Sequence, residues 1–374
     1  MKFWRVEANA AYALVAAAIL GILAANTPLS GALDAFRNVD VNFIGARFTL
    51  EGWIYSFGLP VFFFLVGLEL KRELRVGELS PLKRAVVPAL AATLGVAFPA
   101  LAYLAVVGVG NPISAGWAIP TATDVTFALA AFAIFGKTLP QSARSFLLAY
   151  AVIDDLIAVL IIAALFSEPI QPEYFALVIV WVALFALVAR SKRLARRGWI
   201  QASLMVFTGV GAIYFTNVNG LQPTLTAVVL GLLVPTKRTQ RIQDAIHPLV
   251  SFTVMPLFAL FAAGVSFGEF NLAASAVFWA IMLRPIGKML GITFGAELGK
   301  RLIGGMPTLP TEAIVPTALL GGAGFTVALL VAKYSFTLMP GAEMAAVAAT
   351  FIATAISLVA GGLALKVYKP KTRT

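Results

Sequence analysis

The sequence contains no cysteine and a single histidine, His247. The absence of cysteine excludes disulfide bonds and thiolate metal sites. Charged residues are also scarce, at 12% of the 374 residues, whereas 60% are hydrophobic. Soluble domains contain about 25% charged residues. The shortage of charge therefore excludes an ordinary soluble domain and indicates a protein that crosses the membrane several times.

Apolar runs long enough for membrane helices recur along the whole chain, and they predict about twelve spans in a single integral membrane domain, residues 1–374. The runs lie near residues 8–26, 53–70, 85–108, 115–136, 143–167, 173–190, 199–216, 221–235, 248–267, 271–296, 313–334 and 341–366. The first run follows Lys2 and Arg5 and so resembles a signal peptide. It lacks a small-residue cleavage site and many spans follow, so we interpret it as the first transmembrane helix.

The net charge of +11 comes from basic residues that lie between the apolar runs. They form no continuous nucleic-acid face, and we expect a lipid bilayer as the partner, with no nucleic acid. One set of alternate loops, together with both chain ends, holds nearly all of them: Lys71, Arg72, Arg75, Lys83, Arg84, Lys137, Arg144, Arg190, Lys192, Arg193, Arg196, Arg197, Lys237, Arg238, Arg241, Lys300, Arg301, Lys2, Arg5, Lys366, Lys369, Lys371 and Arg373. The positive-inside rule predicts cytoplasmic termini and an even number of spans.

A short segment on the opposite side, residues 41–50, alternates apolar and polar residues on either side of Gly45 and Ala46. This pattern predicts a β-hairpin, with an irregular loop as the alternative. A hairpin edge would suit pairing with a second copy of the chain.

Asp154 and Asp155 lie within the otherwise uncharged apolar run 147–166. Each carboxylate costs roughly 2.5–3.5 kcal/mol in the middle of a membrane helix, so an acidic pair there indicates a functional site. Neighbouring helical residues point about 100° apart. One acid can therefore face a cavity while the other meets a neighbouring helix, for which Lys288 is the natural partner.

Two spans contain helix-breaking residues at corresponding places. The fourth has Pro120 before Asp124, and the eleventh has Pro316 before a glycine-rich stretch at 321–324. Paired interruptions of this kind are the best sequence indication of a transporter site. Spans three to five and ten to twelve would form an inverted repeat. The partial charges at the ends of the broken helices would be compensated by charged side chains such as Asp124 and Lys288.

These charges permit structural interpretations as well. Asp124 could only cap the broken helix. Lys288 and Arg284 could extend to the membrane surface, or Arg284 could compete with Lys288 for the same acid. Thr123 could satisfy freed backbone groups. As ligands, carboxylates and the Thr123 hydroxyl offer the oxygen atoms that hard cations such as Na⁺ and Li⁺ require.

Several motifs together resemble the NhaA family of sodium/proton antiporters over nearly the whole chain, and this family is itself a standard example of an inverted-repeat transporter. They are VFFFLVGLELKREL at 61–74, GWAIPTATDVTFAL at 116–129, AVIDDLIAVLIIAALF at 151–166, MPLFALFAAGVSF at 255–267, IGKMLGI at 286–292 and GGAGFTVALLVA at 321–332.

The resemblance implies an all-α membrane fold with inverted repeats and two crossed, discontinuous helices, spans 4 and 11, beside a short periplasmic hairpin. The core repeats would span about 85–167 and 271–366, and an interface half about 8–70 and 173–267. It implies electrogenic export of cytoplasmic Na⁺ or Li⁺ in exchange for external H⁺ across the inner membrane. It also implies a homodimer formed through residues 41–50.

By motif, Asp155 resembles the main ion ligand, Asp154 its partner acid, and Lys288 the cation bonded to Asp154 in one state. Asp124 and Thr123 resemble supporting groups at the break. No cofactor is expected beside the transported Na⁺, Li⁺ and H⁺.

The resemblance places pH regulation at a cytoplasmic funnel lined by Glu69, Glu73, Asp244 and His247. An alternative is that residues 69–73 form a solvated helix end and that His247 is interfacial. The chain departs from the family at Gln222, where relatives often have histidine. Because histidine is the usual switch near neutral pH, this leaves the activating pH open.

Two other classes of function stay open. A sodium- or proton-coupled solute carrier would need an added pocket for an organic substrate. An intramembrane enzyme is disfavoured, because the Gly-x-Gly-Asp context of aspartyl proteases is absent. An Asp-Asp-x-x-Asp magnesium motif beginning at Asp154 is absent too, because its last position is occupied by Ala158 and not by aspartate.

Overall fold

The computed structural model describes residues 2–43, 46–75, 82–136, 139–167, 169, 171–266, 272–303 and 309–368. These residues form eighteen α-helices, one 3₁₀ helix (Pro112–Thr121), two short π-helices (Ile54–Gly58 and Val250–Val254) and two strands. The α-helices and strands are α1 (Lys2–Ala25), α2 (Ser30–Arg37), β1 (Asp40–Phe43), β2 (Ala46–Thr49), α3 (Leu50–Trp53), α4 (Leu59–Arg75), α5 (Leu82–Val107), α6 (Val125–Phe135), α7 (Gln141–Phe166), α8 (Pro172–Arg190), α9 (Lys192–Ala195), α10 (Gly198–Val218), α11 (Pro223–Leu233), α12 (Thr236–Leu249), α13 (Met255–Ala263), α14 (Leu272–Met282), α15 (Arg284–Leu302), α16 (Thr311–Gly321), α17 (Thr326–Ser335) and α18 (Pro340–Val367).

Some residues used in the topology prediction lie outside the described part. These are Lys137, Lys369, Lys371, Arg373, Gly45 at the hairpin turn, and the predicted span limits at 267 and 271.

Nine helical segments of the described chain are long and apolar enough to cross a membrane, and eleven are obtained when two bent pairs are each counted as one span. The predicted span 221–235 corresponds to α11, which has only 11 residues. A helix of that length is about 16 Å long, against a hydrocarbon thickness of about 30 Å. The structure therefore supports a polytopic helical membrane protein, and the count of twelve stays a prediction.

The predicted hairpin is confirmed. Strands β1 and β2 pair antiparallel, with Asp40 opposite Thr49 and Phe43 opposite Ala46. The sheet has two strands among the described residues, so each strand keeps an outer edge.

Two groups of helices pack most closely among themselves. In one group α4 lies against α11, α8 against α10, and α1 against α13. In the other, α5 lies against α15, and α18 lies against α14 and α16. Helix α7, which carries Asp154 and Asp155, packs on α5 and α16 of the second group. The 3₁₀ helix before the first break also packs on α5, and α6 packs on α18. The proposed division into an interface half and core repeats follows the same helices and stays a prediction.

The two predicted interruptions are present. In the fourth span, the 3₁₀ helix Pro112–Thr121 ends before an extended stretch at 122–124, and α6 begins at Val125. In the eleventh, α16 ends at Gly321 and α17 begins at Thr326, with the two helices bent by 47°. In both spans a proline precedes the break by a few residues and removes a backbone donor from the helix.

Helix α15, which carries Lys288, packs on α5 through glycines spaced four residues apart, at 287, 291, 295 and 299. These glycines lie on one face of the helix. A side-chain carbon added at Gly291 or Gly295 would collide with the carbonyl oxygen of Leu94 or Leu90 on α5. Close backbone approach through small residues is the usual way in which membrane helices associate. The stripe therefore holds Lys288 at a fixed depth beside α5.

We expect Gly295→Ala to lower the melting temperature of the purified protein, because the new methyl group must push α15 away from α5. Overpacking of this kind costs about 1–3 kcal/mol. Gly31→Ala is the matched control, since Gly31 lies in helix α2 with open space around it. An equal effect of both substitutions would contradict the packing role.

Candidate functional site

The two helix breaks lie against each other. The backbone N–H of Asp124 donates to the carbonyl oxygen of Ala323 at 2.6 Å. The hydroxyl of Thr123 donates to the carbonyl oxygen of Gly321 at 2.7 Å. Each break thus satisfies backbone groups that the other leaves free, which is what irregular backbone requires inside a membrane protein.

Lys288 lies at this junction and is 1% exposed. Its ammonium donates to both carboxylate oxygens of Asp154, each at 2.8 Å, and to the Thr123 hydroxyl at 2.9 Å. The full burial of Lys288 excludes the interpretation that it extends to the membrane surface. Thr123 connects this buried ion pair to the carbonyl of Gly321 on the second interrupted helix.

The two neighbouring aspartates have different surroundings. Asp154 is 1% exposed and is paired with Lys288. Asp155 is 8% exposed, and its carboxylate has no hydrogen-bond partner among the described residues. Asp155 is therefore the member of the pair without a counter-ion among the described residues.

Asp124 lies at the N-terminus of α6. One of its carboxylate oxygens accepts from the backbone N–H of Thr126 at 3.1 Å, and the other accepts from the hydroxyl of Thr326 at 3.1 Å. Thr326 is the first residue of α17. Asp124 therefore places a negative charge near the N-terminal ends of both α6 and α17, where the helix dipoles favour it.

Arg284 is buried one helical turn before Lys288, and it does not compete for an acid. Its guanidinium makes no ion pair with any carboxylate of the described residues. It donates instead to backbone carbonyls and to a threonine hydroxyl. Of the alternatives considered for Arg284, extension to the surface and competition with Lys288 are both wrong.

The residues predicted to regulate the pH response have different surroundings in the structure. Glu73 is only 4% exposed, so the solvated-end interpretation is wrong for it. The adjacent Arg72 lies 3.8 Å from Glu73 and donates to the side chain of Gln240 at 2.6 Å. Gln240 in turn donates to Asp244 at 2.8 Å. These contacts join the end of α4 to α12.

The other two predicted regulatory residues lie on the same two helices, within one turn of this connection. Glu69 is half-buried one turn earlier on α4. His247 is half-buried on α12, with Ser251 Oγ at 3.4 Å from its ring. Gln222, the predicted departure from the family, donates from its amide to the carbonyl of Phe166 at 2.7 Å.

Several residues of the site were not found by sequence reasoning. Tyr150 is fully buried one turn before Asp154, and its hydroxyl donates to the carbonyl of Thr317 on α16. Thr326 and Thr354 contact Asp124 and Arg284. Hydroxyl groups within apolar spans commonly donate to backbone carbonyls. Residue type alone therefore did not distinguish these three residues from other hydroxyl-bearing residues in the spans.

Two interrupted helices that meet at a buried lysine–carboxylate pair define a secondary ion transporter of the membrane. The sequence pattern of the family described as Na⁺/H⁺ antiporter 1 matches residues 1–365. The chain belongs to this family, which confirms the resemblance found in its motifs. Membership supports a Na⁺/H⁺ antiporter function, that of a transporter rather than an enzyme.

Curated relatives agree with this assignment. The Na⁺/H⁺ antiporter NhaA 2 of Clavibacter michiganensis subsp. michiganensis is 38% identical over 99% of this chain and 92% of its own length. The Na⁺/H⁺ antiporter NhaA of Acidovorax sp. is 35% identical over 95% of this chain and 89% of its own. Among solved structures, the sodium proton antiporter MjNhaP1 from Methanocaldococcus jannaschii matches 98% of this chain and 99% of its own, with a TM-score of 0.53. At 16% identity this likeness concerns the fold alone.

We expect Lys288→Ala to lower the melting temperature strongly, because it leaves the Asp154 carboxylate buried without a cation. Removing one partner of a buried ion pair lowers the free energy of unfolding by about 3–5 kcal/mol. Adding Asp154→Asn should restore part of the loss. Lys300→Ala is the control: Lys300 pairs with Glu297 at 3.1 Å on a more exposed part of α15, where a pair contributes about 0–1 kcal/mol. An unchanged melting temperature for Lys288→Ala would contradict the pairing.

Proposed function

We propose that the protein exports cytoplasmic Na⁺ or Li⁺ in exchange for external H⁺, by alternating access to Asp155 and Asp154. The exchange is electrogenic and regulated by pH. The protein lies in the inner membrane with both termini in the cytoplasm, and it acts as a homodimer. The single observation that carries the proposal is the buried carboxylate of Asp155, which has no hydrogen-bond partner in the part of the chain that the structure describes, next to that of Asp154, which is paired with Lys288.

A hard cation needs oxygen ligands. The carboxylate of Asp155 would supply two of them, and the Asp154 carboxylate and the Thr123 hydroxyl, which both contact Lys288, would supply the others. In the structure, the Lys288 ammonium donates to both carboxylate oxygens of Asp154 and to the hydroxyl oxygen of Thr123. A cation that takes these oxygens must displace the ammonium, so cation and Lys288 compete for the same acid.

Protons enter the exchange through the same groups. A buried carboxylate without a counter-ion is stabilised either by a proton or by a metal cation, and it gives up one when it takes the other. Asp155 can exchange in this way directly. The pair of Lys288 and Asp154 provides a second group that changes its partner when the cation arrives. Two titratable sites and one cation would make the exchange electrogenic.

The orientation is supported by the position of the basic residues. Arg190, Lys192, Arg193, Arg196 and Arg197 surround the connection between α8 and α10 and are exposed. Such a cluster beside membrane helices favours the cytoplasmic side. Regulation by pH is proposed at the contact between α4 and α12, together with Glu69 and His247, because that contact connects Glu73 to Asp244 through Arg72 and Gln240.

The test is proton flux in everted membrane vesicles, followed with a pH-sensitive dye. We expect addition of Na⁺ or Li⁺, and not K⁺, to collapse the acid interior. Asp155→Asn, which keeps the shape and removes the charge, should abolish the response. Asp34→Asn is the matched control, since the Asp34 side chain is 65% exposed. Vesicles with Asp155→Asn that retain the full sodium response would overturn the assignment of Asp155 as ligand.

The same assay separates the remaining parts of the proposal. The rate of an electrogenic exchange depends on the membrane potential and changes when valinomycin and potassium hold that potential at zero, whereas the rate of an electroneutral exchange does not. A series of external pH values shows whether His247→Gln or Glu73→Gln moves the profile. No response to any cation in wild-type vesicles would favour a coupled solute carrier instead.

The homodimer is proposed to form through residues 41–50, because the two-stranded sheet keeps outer edges that can pair with another chain. We expect deletion of residues 42–49 to give monomers on a sizing column. Replacement of the same residues by a glycine–serine segment of equal length should give monomers too. Dimers that persist in both variants would refute the role of the hairpin.

A further inference from the structure

Arg284 is the largest fully buried side chain of the described protein, with 0% exposure. Arginine keeps its positive charge at every accessible pH, and a buried charge without compensation is strongly unfavourable. No carboxylate of the described residues forms an ion pair with it. The protein must therefore stabilise this charge with the dipoles of backbone carbonyl and hydroxyl groups. The identity of these groups indicates which part of the structure Arg284 holds in place.

The Arg284 guanidinium donates to three acceptors, on Gly324, Thr350 and Thr354. Nη1 donates to the carbonyl of Gly324 at 2.8 Å. Nη2 donates to the carbonyl of Thr350 at 3.0 Å and to the hydroxyl of Thr354 at 2.7 Å. The Thr354 hydroxyl itself donates to the carbonyl of Gly324 at 2.8 Å. The carbonyl of Gly324 thus receives two hydrogen bonds, one direct and one through Thr354.

Gly324 lies in the non-helical stretch between α16 and α17. Nearby in the same break, the carbonyl of Gly321 accepts from Thr123 and the carbonyl of Ala323 accepts from the backbone of Asp124. Three of the four carbonyls in residues 321–324 therefore have partners from outside α16 and α17. Gly321 and Ala323 contact residues of the candidate site, and Gly324 contacts Arg284 and Thr354.

We propose that Arg284 is a positioning residue for cation binding: it fixes the break of the eleventh span, and the break fixes Thr123 and Asp124. This inference rests on the proposed function, in which Thr123 and the neighbouring acids bind the cation. The guanidinium fork is suited to the task because it holds two acceptors in a rigid plane, which a lysine cannot do. Groups that orient ligands in this way typically change affinity by about 10–100-fold when removed.

The first test uses Thr354→Val, which removes the hydroxyl between Arg284 and Gly324 and keeps both the volume and the buried charge. We expect the sodium concentration for half-maximal exchange to rise about tenfold, with the maximal rate nearly unchanged. Thr293→Val is the matched control. Thr293 lies on α15, and its buried hydroxyl has no hydrogen-bond partner among the described residues. It should leave the sodium dependence as in the wild type.

The second test compares Arg284→Lys with Arg284→Gln. If Arg284 positions the break, lysine should partly restore sodium affinity and glutamine should not, because lysine keeps the charge and one donor group. Melting temperatures measured with and without Li⁺ give an independent readout of cation binding. The stabilisation by Li⁺ should shrink in Thr354→Val and Arg284→Gln, and stay as in the wild type in Thr293→Val.

A lower melting temperature with unchanged sodium dependence in Thr354→Val would overturn the inference and leave Arg284 a purely structural residue. If Arg284→Gln does not fold, Thr354→Val still decides the question. Failure of the proposed function gives a different result, since wild-type vesicles would then show no sodium-dependent flux. A wild type that responds, with Thr354→Val responding equally, refutes only the role of Arg284.

Discussion

The constraint on which the rest of this structure depends is the cost of burying charge away from water. Five ionisable side chains lie buried around the two helix breaks, and each needs a compensating group inside the protein. Lys288 and Asp154 compensate each other. Asp124 uses the N-terminal ends of α6 and α17, and Arg284 uses backbone carbonyls. Only Asp155 has no such partner among the described residues, which agrees with its proposed role as the ion ligand.

The interrupted helices follow from the same constraint. An intact membrane helix uses its backbone groups internally and offers none to a charge. A break exposes carbonyl and amide groups in the middle of the protein, and the two breaks here exchange bonds with each other and with the charged side chains. The glycine stripe of α15 then brings α15 against α5 and sets the depth of Lys288. Packing, breaks and charges thus form one arrangement around the Lys288 ammonium.

Much of this arrangement could be predicted from residue type and position. Proline and glycine in apolar runs predicted both interruptions, and alternation around Gly45 predicted the hairpin. The pairing of one aspartate with Lys288 followed from helical geometry and charge. Other features could not be predicted in this way. Arg284 looked like a competitor for the acid, because its sequence neighbourhood contains no indication that Gly324 and Thr354 are its partners. The burial of Glu73 was missed because the surrounding charges are typical of a solvated helix end.

The sequence by itself determined the class of the protein, its apolar spans, the places where two of them break and the acids that lie among them. These are properties of single residues and their immediate neighbours: the cost of charge in hydrocarbon, the missing donor of proline and the periodicity of helices. Only the tertiary structure decided which aspartate is held by Lys288 and which is left without a partner. It also decided that Arg284 donates to the carbonyl of Gly324 at the second break and not to an acid. Those outcomes depend on contacts between residues 40 to 198 positions apart, whose distances are set by helix packing.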